Sequence, residues 1–209
     1  MNNGLKKCKE IGNYFEFMPD SDGSVDQSKL SKLYLKHQIK DNVTFFGGSF
    51  NPFHAGHLAC LNLCPEKNIL IVPDRNPFKS KERLVSGDDD FLHFEELAKS
   101  LKETPYSLYP GFLGYTTPNP TSSWLPKVKI KEKNFLMGDD TFMSLLRWDN
   151  PSVVILNLTK LYVVPRNYTR ADYLLQEQKI KMWNAKLDVI YLDDHPYKNI
   201  SSSELRKLK

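Results

Sequence analysis

The chain has 209 residues, which is enough for one α/β domain with a full core, or one domain with an appendage. Its net charge of +4 is spread along the chain, whereas dedicated nucleic-acid binders usually carry a denser basic stripe within a recognisable motif. The mild excess suits a small anionic substrate better than a nucleic acid, and it is also common in proteins that bind nothing charged. No apolar run approaches the ~20 residues of a membrane span, and residues 1–10 lack the apolar core of a signal peptide. We expect no membrane association and a cytoplasmic protein.

The three cysteines agree with that expectation, because an odd and sparse set makes no disulfide framework. Cys60 and Cys64 are four positions apart, so they share one face of a predicted helix. Such a pair could form half a metal site. The pattern is more typical of two small apolar residues on a buried helix face.

Residues 1–42 differ from the rest of the chain. They are polar, and residues 20–24 form a loop-like stretch. Leu30, Leu33, Tyr34 and His37 then recur at helical spacing and predict one short amphipathic helix. We treat residues 1–42 as an N-terminal extension of unknown role and residues 43–209 as the main domain.

The main domain alternates between short apolar runs and segments with helical periodicity. The apolar runs predict strands at 43–46, 68–72, 106–109, 134–137, 160–164 and 187–192. The periodic segments predict helices at 55–63, 91–101, 140–146, 170–184 and 201–209. The proline-rich stretch 110–126 predicts an ordered loop without long regular structure. This alternation indicates an α/β fold, a Rossmann-like doubly wound parallel sheet with helices on both faces. In such sheets, ligands bind beyond the carboxyl ends of the strands.

The loop after the first strand is the most informative of these ligand-binding edges. Gly47 and Gly48 allow a sharp turn and a close approach of the backbone to a ligand. A helix is predicted to begin near His54, and the free amides of its first turn form an anion site. His54 and His57 lie on one face of that turn, and Gly56 between them leaves no side chain to block a phosphate.

These features together predict a phosphate cradle. A zinc site is the weaker hypothesis for this loop, because histidines three apart can bind zinc but no third ligand is evident nearby in the sequence.

Residues 47–58 read Gly-Gly-Ser-Phe-Asn-Pro-Phe-His-Ala-Gly-His-Leu, which resembles the His-x-Gly-His signature of the nucleotidylyltransferase superfamily. In its longer form the segment is similar to that of the nicotinate (nicotinamide) mononucleotide adenylyltransferases. Three later segments resemble further motifs of that family in the same order, and the resemblance covers residues 43–209. They are the strand-following loop at 73–79, the Gly-x-Asp strand end at 135–140 with its downstream tryptophan, and the closing serine motif at 200–206.

The resemblance implies adenylyl transfer from ATP to nicotinate mononucleotide, giving deamido-NAD and pyrophosphate in NAD biosynthesis. It implies catalytic roles for His54, His57 and Arg206. It assigns ATP binding to Gly47, Gly48, Ser49, Phe50, Gly56, Gly138, Asp140, Ile200, Ser201, Ser202 and Ser203. It assigns mononucleotide binding to Asn51, Lys79, Ser123, Trp148 and Arg166. Mg²⁺ is expected to come with ATP and to keep mostly water ligands, with no dedicated protein cage. Whether the chain forms a homo-oligomer stays open.

Several of these residues also have plain structural interpretations. The spacing of Ser201 and Glu204 is that of a helix capping box. Asp140 could be a helix N-cap, Trp148 a core residue and Lys79 a surface lysine. The sequence alone leaves these alternatives open.

Two other functions compete with the adenylyltransferase hypothesis. One is a sister enzyme acting on phosphopantetheine or a polyol phosphate. The other is an inactive nucleotide-sensing module, and the intact His54, His57 and Arg206 argue against it. Residues 120–125 match poorly the loop with which the family reads the nicotinate carboxylate, so the choice between acid and amide stays open. The chain also ends soon after Arg206, where relatives usually continue, and one hypothesis is that residues 1–42 fill that volume.

Overall fold

The computed structural model describes residues 41–74, 87–109, 120–128 and 130–207, and for 87–91 it describes the backbone only. The predicted N-terminal helix, Lys79 and residues 110–119 of the proline-rich stretch lie outside this part of the chain. The division into an extension and a main domain therefore stays a prediction. Among the described residues, no helix combines the length and the apolar character needed to cross a bilayer.

The strands and helices alternate along the described chain. The strands are β1 (Asn42–Gly48), β2 (Ile69–Pro73), β3 (Ser107–Leu108), β4 (Glu132–Gly138), β5 (Lys160–Val164) and β6 (Asp188–Tyr191). The helices are α1 (Ala55–Leu63), α2 (Gly87–Leu101), α3 (Thr121–Trp124), α4 (Asp139–Ser144), α5 (Pro151–Leu156), α6 (Arg170–Lys181) and α7 (Ser202–Lys207). Short 3-10 turns follow α3 at Leu125–Lys127 and α4 at Leu145–Arg147.

The strands form one sheet in the order β3-β2-β1-β4-β5-β6, and every neighbouring pair is parallel. This confirms the predicted Rossmann-like α/β fold. The strand order reverses direction between β1 and β4, and in doubly wound sheets the crevice at this switch point is where ligands bind. Gly48 ends β1 and Gly138 ends β4, so both glycines lie at the mouth of that crevice.

Apolar side chains cover both faces of the sheet, because successive residues of a strand point to opposite sides. On one face Phe45 and Phe135 pack with Trp124, Phe142 and Ile180 of the later helices. The other face packs against α1 and α2 through Phe46, Leu136, Leu61, Phe94 and Leu97. The two clusters confirm the predicted helices on both faces.

The sequence analysis did not predict α5. Its start carries a recognisable signal, because Asn150 in the left-handed conformation (φ 43°) precedes Pro151 at the first helical position. The remaining differences are at element ends, where α6 stops at Lys181 and the predicted helix at 140–146 divides into α4 and a 3-10 turn. The described part of the proline-rich stretch holds α3, a helix of only four residues.

Candidate active site

The loop between β1 and α1 is held by its own aromatic ring. Phe50 has a positive φ of 45° and is 2% exposed, so its ring belongs to the core. A Cβ at Gly48 would lie 3.1 Å from that ring, which explains the glycine by close packing. His93 of α2 bonds the Ser49 carbonyl through Nε2 at 2.7 Å. The Phe50 ring is buried, so any contact of Phe50 with ATP would have to come from the Phe50 backbone.

His54 and His57 form a stacked pair at the start of α1. Their ring centroids are 3.8 Å apart, with 25° between the ring planes. His54 Nδ1 accepts from the Gly56 N–H at 3.2 Å, and His57 Nδ1 accepts from the His54 N–H at 3.3 Å. A backbone N–H can only donate, so in each neutral imidazole the proton resides on Nε2. Each ring therefore keeps one Nε2–H donor that the cap does not use.

Both histidines are neutral at pH 7. Burial, then the neighbouring His54 and the charge of Arg166, lower the pKa of His57 to about 3. Burial, Arg166 and His195 also lower the pKa of His54. The permanent positive charge among these groups is therefore that of Arg166, while the imidazoles act as uncharged donors.

Gly56 is buried beneath the loop that connects β6 to α7. A Cβ at this position would lie 3.1 Å from the His54 ring and 3.2 Å from the Tyr197 carbonyl oxygen. The sequence suggested that this glycine leaves room for a phosphate, whereas the structure explains it by the packing of this loop on α1. A contact between Gly56 and ATP stays a prediction.

The same loop brings His195 to α1, which the sequence analysis missed. Its Nδ1 accepts from the Tyr197 N–H at 3.1 Å, so its Nε2–H faces the Cys60 sulfur, 3.7 Å away. Burial raises the pKa of both Cys60 and Cys64 to about 11, so both are neutral thiols. No three His, Cys, Asp or Glu side chains of the described chain are grouped to hold a metal ion. The signal for His195 was its place after the last strand, at the edge where ligands bind.

Helix α7 docks on the loop between β1 and α1. Ser202 Oγ donates to the Pro52 carbonyl at 3.0 Å, and Arg206 donates through Nη1 to the Asn51 carbonyl. Arg206 Nη2 also bonds Ser203 Oγ at 3.0 Å. The closing motif and the histidine loop, far apart in the sequence, are therefore in direct contact.

Half of the capping box predicted at Ser201 and Glu204 is present, because the Ser201 side chain caps the Glu204 N–H while the Glu204 carboxylate bonds the Ser201 hydroxyl. Ser201 Oγ accepts from the Glu204 N–H at 3.2 Å and donates to the Glu204 carboxylate at 2.9 Å. Ile200 lies next to it, with its N–H bonded to the Tyr197 carbonyl. The structural interpretation of Ser201 is thus correct, and it is compatible with a ligand contact.

The carboxyl end of β4 is open on one side. A Cβ added to Gly138 would meet nothing within 4 Å. Asp140, with its side chain 55% exposed, lies 3.7 Å from Arg166 Nη1 and accepts from Asn167 Nδ2 at 3.2 Å. The alternative that Asp140 caps its helix is wrong, because the N-cap of α4 is Gly138.

The predicted mononucleotide residues fall on two sides of the sheet. Arg166 lies near the histidines and Asn51 supplies the carbonyl that Arg206 bonds. Trp148 packs edge-on against Phe135 at 6.1 Å on the opposite face and stays partly exposed, so it is only partly a core residue. The exposed Ser123 Oγ donates to the Pro120 carbonyl at 2.7 Å. A ligand bound to both sets would have to cross the switch point between β1 and β4.

Asp139 is a residue of this site that its sequence pattern did not indicate, although its neighbour Asp140 was predicted to bind ATP. Asp139 is fully buried, with 0% of its surface exposed, and it binds the backbone of the loop that carries Arg166. The sequence places two aspartates in succession at the end of β4, and it does not indicate which of them is buried.

Comparison with known proteins places this site in context. Residues 45–208 match the family described as cytidylyltransferase-like. Three similar proteins carry the name "Probable nicotinate-nucleotide adenylyltransferase". That of Caldicellulosiruptor bescii is 30% identical over 79% of this chain and 85% of its own length. That of Methylacidiphilum infernorum is 27% identical over 83% and 82%. That of Christiangramia forsetii is 32% identical over 59% and 67%. The resemblance drawn from the motifs is confirmed.

Proposed function

The chain belongs to the cytidylyltransferase-like family, and on that premise we propose that it is a nicotinate-nucleotide adenylyltransferase. It transfers the AMP part of ATP to nicotinate mononucleotide, producing deamido-NAD and pyrophosphate for NAD biosynthesis. The names of its relatives and their coverage of most of this chain support the substrate pair.

One observation carries the proposal: the stacked, neutral pair of His54 and His57 beside the switch point of the sheet. The 5′-phosphate of the mononucleotide attacks the α-phosphorus of ATP in line, and pyrophosphate leaves. Because two anions must meet, the barrier is mostly electrostatic and positional, and no covalent enzyme intermediate is needed. Each imidazole donates its Nε2–H to an α-phosphate oxygen as negative charge increases there.

Neutral donors suit this task. An imidazole whose Nδ1 is already bonded to the backbone is held in one tautomer and one orientation before ATP arrives. Such a preorganised donor is typically worth about 10²–10³ in rate. Arg166 adds a permanent charge without depending on pH.

The leaving pyrophosphate is held by the closing segment. Arg206 has five N–H donors, and its bonds to Asn51 and Ser203 leave others for the β- and γ-phosphates. Ser201, Ser202 and Ser203 lie beside it at the start of α7. Mg²⁺ would accompany ATP as part of the substrate, would offset the charge of the phosphates and would keep mostly water ligands.

The two nucleosides occupy opposite sides of the crevice. The open space over Gly138 admits the adenosine, with Asp140 contacting its ribose. The partly exposed ring of Trp148 stacks on the flat pyridine ring. Asn51, Ser123 and Lys79 complete the mononucleotide site.

Pyrophosphate release by the purified chain tests the proposal. ATP and CTP are each paired with nicotinate mononucleotide, nicotinamide mononucleotide, phosphopantetheine and glycerol phosphate, and products are identified by mass. We expect release with ATP and a pyridine mononucleotide, and more with the nicotinate form. Release mainly with phosphopantetheine, or with CTP and glycerol phosphate, would assign the chain to the sister enzymes. ATP binding without release from any pair would make it a nucleotide-sensing module.

A further inference from the structure

Asp139 is the first residue of α4, directly after the glycine that ends β4. Its side chain is 0% exposed. Burying a carboxylate is costly unless donors surround it, so a fully buried aspartate at the mouth of a ligand crevice requires a specific set of partners.

The partners of Asp139 come almost entirely from one loop. Its Oδ2 accepts from three consecutive backbone N–H groups, those of Arg166 at 2.7 Å, Asn167 at 2.6 Å and Tyr168 at 3.1 Å. Tyr173 of α6 donates its hydroxyl to the same oxygen at 2.9 Å. Successive N–H groups that converge on one anion form a nest, and here the protein fills the nest with its own carboxylate.

This arrangement fixes the backbone from which Arg166 projects. This loop joins β5 to α6. Asp139 binds the main chain of the loop, and the neighbouring Asp140 binds the side chains of Arg166 and Asn167. Arg166 Nε is buried and has no hydrogen-bond partner among the described residues, and its guanidinium lies close enough to lower the pKa of both His54 and His57. Arg166 therefore retains donor capacity beside the histidine pair.

We propose that Asp139 is a positioning residue that holds the loop at 166–168 as a preformed nest and thereby sets Arg166 for the mononucleotide. This inference rests on the function proposed above. It gives the two adjacent aspartates different tasks, since Asp140 faces the ligand and Asp139 acts only through the loop.

Asp139→Asn keeps the size of the side chain and can place its amide where the unpartnered Oδ1 lies, but it removes the negative charge that strengthens the four bonds to Oδ2. We expect the KM for the mononucleotide to rise about tenfold, while the KM for ATP and kcat change less than about threefold. Gln176→Leu is the matched control, because Gln176 is also buried and donates to the Phe142 and Met143 carbonyls of α4 rather than to the loop backbone. It should lower stability and leave both KM values within about twofold.

A double-mutant cycle tests whether Asp139 acts through Arg166. If it does, the double variant Asp139→Asn with Arg166→Ala will have the same KM for the mononucleotide as Arg166→Ala alone. If the two substitutions raise this KM by independent factors that multiply, the proposal is overturned. It is also overturned if Asp139→Asn has the same kinetics as Gln176→Leu.

Hydrogen exchange supplies a readout that does not need activity. In Asp139→Asn the amides of 166–168 should exchange at least about tenfold faster, whereas in Gln176→Leu they should stay near the wild-type rate. Unchanged exchange in Asp139→Asn would refute the holding role even if the chain proved to have another substrate. Faster exchange in a chain without adenylyl transfer would retain the holding role and reject the proposed function instead.

Discussion

Two loops meet at the crevice, and they satisfy their backbone N–H groups in different ways. The start of α1 is capped by neutral imidazoles, and these are the same groups that we propose to contact ATP. The loop between β5 and α6 is capped by the buried carboxylate of Asp139, while Arg166 beside it remains available. Both loops follow the rule that buried backbone donors need partners.

The difference lies in whether the capping group and the working group are the same side chain. At α1 each histidine has both tasks, one for each ring nitrogen. At the β5–α6 loop the tasks belong to separate residues. At α1, a substitution that keeps one ring position and removes the other should separate capping from ligand binding within one side chain. At the β5–α6 loop, the two tasks should be separated by substituting one residue at a time.

The largest expected effect is on His57. His57→Ala should lower kcat at least about a hundredfold while the fold survives, because it removes a donor to the α-phosphate. His57→Asn sharpens the comparison, since its amide oxygen can replace Nδ1 in the cap while the Nε2–H is lost. We expect wild-type-like thermal unfolding but low turnover for this variant, measured by calorimetry and pyrophosphate release. Turnover near the wild-type value in either variant would remove His57 from the mechanism.

The next effect separates Gly56 of α1 from Gly138 at the end of β4. Gly56→Ala should destabilise the fold by about 1–3 kcal/mol, because its Cβ would press on the His54 ring and the Tyr197 carbonyl. Gly138→Ala should leave stability nearly unchanged, since its Cβ meets nothing within 4 Å, and should instead raise the KM for ATP. Urea unfolding and steady-state kinetics of both variants test this pair. An equal loss of stability would show that both glycines serve packing alone.

Trp148 tests the opposite side of the crevice. Trp148→Ala should raise the KM for the mononucleotide about tenfold and the KM for ATP much less, because one stacking surface is lost. Trp148→Phe is the control that retains an aromatic ring. Equal changes in the two KM values would refute the stacking role.

The smallest effect is the pH dependence of stability that the α1 cap imposes. The pKa of His57 is about 3 in the folded chain, against 6.5 for a free histidine, so the unfolded chain binds more protons between these values. Stability is therefore complete above pH 6.5 and declines as the pH falls. From pH 7 to pH 6 this single group should reduce the free energy of unfolding by roughly 1 kcal/mol or less.

His57→Asn should weaken that dependence because it removes the titrating ring. Urea unfolding of both proteins at several pH values gives the comparison. Parallel curves would mean that His57 is not the group responsible.

Most of the fold could be predicted because its signals are local. Buried strands such as 43–46 and 160–164 are short runs of apolar residues, and α1 was bounded correctly by the histidine motif and by Pro65. The missed helix α5 has its signal in two residues, Asn150 and Pro151, rather than in periodicity. The ends of α4 and α6 depend on packing and were less well predicted.

The site divided in the same way. The histidine pair and the closing arginine were predicted because their motifs are contiguous in the sequence. Asp139 and His195 were not, because their importance depends on partners from distant segments, the amides at 166–168 and the Cys60 sulfur.

The amino-acid sequence by itself determined the strand and helix alternation and the parallel sheet, and it predicted which loop binds phosphate. These follow from periodicity, glycine placement and short motifs, all of which act over a few neighbouring residues. Only the tertiary structure decided which of two adjacent aspartates is buried, why Gly56 must be a glycine, and that the Arg206 helix packs against the histidine loop. Those outcomes depend on atoms that the pairing of β1, β4, β5 and β6 in one sheet brings together, and no local pattern specifies which distant donor a side chain will meet.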